Sequence, residues 1–111
     1  MKRFVLMITS LFLMLTNLNA QWEVLNEGFK GSVNTIDFVN ENVGWIGGGV
    51  GTLLKTSDQG ENWISIMIDE NWNINQIDFI NDLTGWAVGS VYTDSNSYAI
   101  IIKTINGGSD W

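Results

Sequence analysis

Twelve carboxylates, no histidine and no cysteine set the chemical repertoire of this 111-residue chain. Catalysis by imidazole or thiolate is therefore excluded, as are Cys-based zinc sites. Two polar groups recur in a fixed frame: KTSDQGENW at 55–63 carries Asp58, and KTINGGSDW at 103–111 carries Asn106. A turn used twice serves the fold, whereas an active site is built once, so Asp58 and Asn106 read as structural.

The other candidates fail on spacing. Asp37 and Asp78 could form the carboxylate pair of a glycosidase, but they fall at one repeat position and share a strand or turn role. Gly47-Gly48-Gly49 with Gly51 lacks the helix and the Gly-Lys-Ser/Thr ending of a phosphate loop, and reads as a tight hairpin. Asp69, Asn71 and Asn73 alternate as at the start of a calcium loop, without its glycine and glutamate. No catalytic residue, metal or cofactor is expected.

The elements that position these residues follow from internal repetition. NTIDFVNENVGWIGGG at 34–49 aligns with NQIDFINDLTGWAVGS at 75–90 at an offset of 41, and the closing phrases pair at 48. The difference is an insertion within VYTDSNSYAI, 91–100. WEVL at 22–25 matches WISI at 63–66, and Trp22 and Trp63 each stand 12 residues before an Asn. Short runs of Ile, Val, Phe, Trp and Thr separated by Gly, Asn and Asp predict strands near 33–39, 43–50, 52–57, 62–68, 75–80, 85–92 and 98–104. Four antiparallel strands per period of about 40 residues is the pattern of a β-propeller blade.

In that frame the repeated phrase joins a third strand to a fourth. Thr56 and Asp58 bond backbone amides across the corner, Gly60 supplies a positive φ, and Trp63 packs on the blade. Thr104, Asn106, Gly108 and Trp111 take the same places. These residues resemble Asp boxes, the turn signature of bacterial neuraminidase-type repeats. With I-x-F and G-W ahead of each box, the pattern resembles the repeats of photosystem II stability/assembly factor-like proteins. The resemblance implies an exported propeller, seven-bladed in the best-known members, without catalytic activity. It also implies an arginine patch, yet the sole Arg is Arg3. A sialidase, which grips its substrate's carboxylate with several arginines, is excluded on the same ground.

The expected fold is all-β: about two four-stranded antiparallel blades of a partial propeller plus an N-terminal closing strand. Residues 1–20 read as a signal peptide, with Lys2 and Arg3 before a short apolar run and Ala20 at the cut. Residues 21–111 form the partial propeller: outer strand of a closing blade and linker at 21–31, one blade at 32–70, a truncated blade at 71–111. Propellers need at least four blades, about 160 residues, so a longer protein is expected, with its remaining blades as partners. The product is expected to be secreted, periplasmic or at the cell surface, with no membrane span once the signal is removed.

Residues 21–111 carry three lysines and a formal charge of −9, which disfavours nucleic acid and anionic membranes. Connections after second and fourth strands emerge on one rim, so Asp69 and Trp72 should neighbour Tyr92, Asp94 and Tyr98. Departures from a repeat mark binding faces, and exposed aromatics among polar groups suit a protein or a glycan. The function expected is a non-catalytic module for protein interaction or scaffolding. The alternatives are the N-terminal part of a polysaccharide-acting glycoside hydrolase or of a large adhesive surface protein.

Overall fold

The computed structural model describes residues 21–24 and 30–111. The signal peptide expected at 1–20 lies outside the described residues. Two antiparallel meanders follow each other: β1 (Val33–Phe38), β2 (Gly44–Gly48), β3 (Leu53–Thr56) and β4 (Ile64–Ser65) in one sheet, then β5 (Trp72–Phe79), β6 (Gly85–Tyr92) and β7 (Ser97–Thr104) in the next. They are adjacent blades of a partial β-propeller, with β5 packed on β1 and β2.

Matching devices turn the chain in each blade. Asn40 Oδ1 accepts from the amides of Asn42 and Val43, both at 2.8 Å. Asn81 Oδ1 accepts from Leu83 and Thr84 at 2.9 and 2.8 Å. This is the asparagine side chain closing a turn on its own backbone. The strand entered after each turn begins with glycine, because a Phe ring covers it. A Cβ on Gly44 would stand 2.7 Å from the Phe38 ring, and one on Gly85 2.6 Å from that of Phe79.

The hydrophobic core lies between the sheets. Trp45, Leu53, Ile74, Ile77, Phe79 and Ala87 form one buried cluster, with Val39, Ile66, Ile68, Ile102 and Trp111 packed against it. Burying side chains of this kind contributes roughly 1.5–3 kcal/mol each.

Two strands differ markedly in extent from the sequence reading. β4 has two residues where 62–68 was expected: Ile66 N still donates to Leu53 O at 2.8 Å, after which Ile66 and Ile68 pack on the core. β5 starts at Trp72 instead of 75, because the longer β6–β7 hairpin extends the ladder to Trp72↔Val91. Residues 21–24 lie in no strand and are exposed. Residues 25–29 of the outer strand of a closing blade and linker expected at 21–31 lie outside the described residues.

Candidate functional site

The two corners are bonded alike. Thr56 Oγ1 donates to Asp58 Oδ1 at 2.8 Å and accepts from Gly60 N at 2.9 Å. Thr104 Oγ1 donates to Asn106 Oδ1 at 3.0 Å and accepts from Gly108 N at 2.9 Å. Both threonines are buried. Gly60 and Gly108 have φ of 87° and 84°. Asn62 Nδ2 donates to Asp58 Oδ2 in the first corner, and Asn106 Nδ2 donates to Asp110 Oδ2 in the second, both at 2.9 Å. Carboxylate and amide have exchanged places.

Asp58 is therefore occupied by the fold. Asn62, through its side chain and then its amide, together with Thr56, holds its carboxyl below the usual carboxylate range. An acid whose two oxygens already accept hydrogen bonds and which stays ionised is a poor proton donor. Asp37 has a different task. Its Oδ2 accepts from Phe79 N at 3.0 Å, bridging from the first sheet to the second. Asn34 Nδ2 donates to Ile74 O at 2.9 Å and Lys55 Nζ to Gly107 O at 2.8 Å, across the same junction. The recurrence of Ile-Asp-Phe at 36–38 and 77–79 marks Asp37 as a repeat position but does not show what it bridges. Among the described residues, no three His, Cys, Asp or Glu side chains converge as metal ligands would.

The rim residues are brought together only in part. Asp69 Oδ1 accepts from Asn71 N at 2.9 Å, and Asp69 O accepts from Trp72 N at 3.0 Å. Gly51 N then donates to Trp72 O at 2.8 Å, and Tyr92 N to Asn71 O at 3.1 Å. This backbone seam joins the β2–β3 turn, the 69–72 segment and the β6–β7 hairpin. The inserted residues form no loose loop. They lengthen β6 and β7 to eight residues each, with Thr93–Asn96 closing the tip and Asp94 exposed in it. Trp72, Val91 and Tyr98 lie opposite one another in register, hence on one face. Tyr92, one residue on, projects from the other face. Tyr92 and Tyr98 are about half exposed, whereas Trp72 is largely covered, on the face that bears the buried Ile74. On the opposite rim Asn81–Thr84 and Ile105 line an open hollow of about 620 Å³.

Comparison with known proteins bears on this architecture. The family model described as Photosynthesis system II assembly factor YCF48 matches residues 14–111. A solved structure described as YCF48 bound to D1 peptide is similar at 25% identity and a TM-score of 0.60, over 73% of this chain and 25% of that one. YCF48 from Cyanidioschyzon merolae is similar at 24% identity and a TM-score of 0.67, over 83% of this chain and 29% of that one. This chain thus spans less than a third of the length of either. None of the curated proteins matches it.

Proposed function

The chain belongs to the Photosynthesis system II assembly factor YCF48 family, and from that membership we propose that it is a non-catalytic, exported propeller module that holds a segment of another protein. The observation that carries the reading is the β6–β7 hairpin, the one place where the blade departs from its repeat. It projects Tyr92 and Tyr98, 55% and 54% exposed, on opposite faces of an acidic tip. Exposed aromatics with polar neighbours suit a protein surface. The similarity to a YCF48 bound to D1 peptide supports the class of ligand. Asp58 in its corner and Asp37 in its bridge support a role without catalysis.

The charge narrows the ligand. Residues 21–111 hold no Arg and carry a formal charge of −9, so a basic segment is favoured over an acidic one. Selection from a display library of random peptides tests this. Enriched peptides are expected to be rich in Lys and Arg, and Tyr92→Ala with Tyr98→Ala should weaken their binding about tenfold. Enrichment of acidic peptides, or binding indifferent to both substitutions, overturns the reading. Export is tested by N-terminal sequencing of protein recovered from its host. Gln21 is expected first, and Met1 would contradict the leader.

A further inference from the structure

The second corner holds the only Asn-Gly pair in the sequence, Asn106-Gly107, where the first corner has Asp58-Gln59. The backbone is the same at both places. Gln59 N donates to Asn42 O at 3.0 Å and Gly107 N to Leu83 O at 2.9 Å, with φ of 65° and 67°. The first corner thus carries a side chain where the second carries none.

That difference is chemical. Asparagine is a thermolabile residue, and it reacts fastest before glycine, where no Cβ screens the backbone nitrogen that follows. That nitrogen, on giving up its proton, attacks the carbonyl carbon of the Asn106 side chain. The bond from this carbon to Nδ2 breaks, and ammonia leaves. The cyclic imide so formed takes up water at either carbonyl. One opening gives aspartate; the other gives isoaspartate, whose main chain runs through the former side chain. The net exchange is water for ammonia, with nothing oxidised or reduced.

The closed corner holds the reacting groups away from this path. Asn106 Oδ1 accepts from Thr104 Oγ1 at 3.0 Å and from Asp110 N at 2.9 Å, while Nδ2 donates to Asp110 Oδ2 at 2.9 Å. Gly107 is buried, and its N–H is spent on Leu83 O. Gly107 O accepts from Lys55 Nζ at 2.8 Å across the blade junction, and Gly108 lies against Trp45. The reaction therefore requires the corner to open, and neither product lets it close as before. Aspartate at 106 sets a second carboxylate beside Asp110, a repulsive pair. Isoaspartate lengthens the main chain just before Gly107 and Gly108, and shifts them from Lys55 and Trp45.

We infer that Asn106 is a site of spontaneous deamidation, that the closed corner suppresses it, and that modification there loosens the contact between the two blades irreversibly. Asp58 has no amide to lose, so the first corner is exempt. The inference does not depend on what the module binds.

Peptide mass spectrometry of the 111-residue chain, aged in mildly alkaline buffer at body temperature with and without urea, tests it. In urea Asn106 is expected to convert faster than any other asparagine, to isoaspartate as well as aspartate. Without urea the conversion should be about tenfold slower or more, because it waits on local opening. Lys55→Met, which removes the bond to Gly107 O, should speed the native reaction about fivefold and leave the rate in urea unchanged. Gly107→Gln, which installs the first corner's residue, should suppress conversion in urea. Asn106→Asp, equivalent to the aspartate product, should unfold at lower urea than the parent. An Asn106 that stays intact in urea, equal rates with and without urea, a Lys55→Met variant that ages like the parent, or an Asn106→Asp variant as stable as the parent would overturn the inference.

Discussion

The Trp45 indole lies nearly parallel to the Phe79 ring, 5.0 Å away at 10°, and meets Trp111 edge-on at 5.6 Å. Trp45 belongs to the first blade; the other two belong to the second. One side chain thus crosses the boundary between consecutive sheets and is wholly buried there. The Nε1 atoms of Trp45 and Trp111 are buried without an acceptor, which offsets part of the gain from burial.

Trp45→Ala should cost about 3–5 kcal/mol, the usual range for emptying an aromatic core site. Chemical denaturation measures it. The loss should come with earlier exchange of the Phe79 amide, whose acceptor Asp37 sits on the sheet that Trp45 anchors. A change below about 1 kcal/mol, that of an ordinary surface substitution, would contradict the role.

The exchanged corners predict a compensating pair. Asn62→Asp sets two carboxylates side by side and should destabilise the corner, whereas Asp58→Asn leaves a neutral amide that Asn62 can meet by turning its own, and should cost less. The double variant recreates the Asn106–Asp110 arrangement and should recover most of the loss. Strict additivity of the two single effects would contradict the pairing.

The same corner sets a sign for acid. Asn62 and Thr56 lower the Asp58 carboxyl in the folded chain. Its stabilisation is whole above the unfolded value, about pH 4, and fades as pH falls through the lower folded value. Asp58→Asn should therefore flatten the stability profile below about pH 4 relative to the parent. An unchanged slope would refute the assignment.

Val50 and Gly51, with φ of 54° and 64°, turn the chain between β2 and β3. Two positive φ values suit Asn-Gly, and a β-branched side chain is strained at the first. Val50→Asn should raise stability by about 1 kcal/mol in thermal or urea unfolding. A loss of stability would show that the exposed Val50 side chain contributes more than its strain costs.

The strand order and most boundaries were legible because Ile-x-Phe, Gly-Trp and the closing phrase recur at fixed offsets. What the repeat did not carry was less legible. The insertion at 91–100 is an exception: its ends read as the strands at 85–92 and 98–104 around a polar tip, and β6 does end at Tyr92 and β7 start at Ser97. The order of connections puts Tyr92 and Trp72 on one rim, but the period of two along β6 sends their side chains to opposite faces. The Asn62 and Asp110 partners lie at unspecified positions of the corner motif, so their exchange shows only in three dimensions. Bridges such as Asp37 to Phe79 join residues 42 positions apart, beyond the reach of local pattern.

The account rests on the Trp45 ring lying against one of two otherwise equivalent corners. The proton chemical shifts of Gly60 and Gly108 test this in a single dilute sample. Their hydrogen bonds and backbone angles match, but a Cβ on Gly108 would fall 1.9 Å from the indole, whereas the nearest atoms to one on Gly60 lie 3.5 Å away. The Cβ direction of Gly108 meets the indole at its edge, so the Gly108 α-proton on that side should lie downfield of its Gly60 counterpart by the ring current, and should move back towards it in Trp45→Ala. Equal shifts in the parent protein would contradict the interlocked pair of blades.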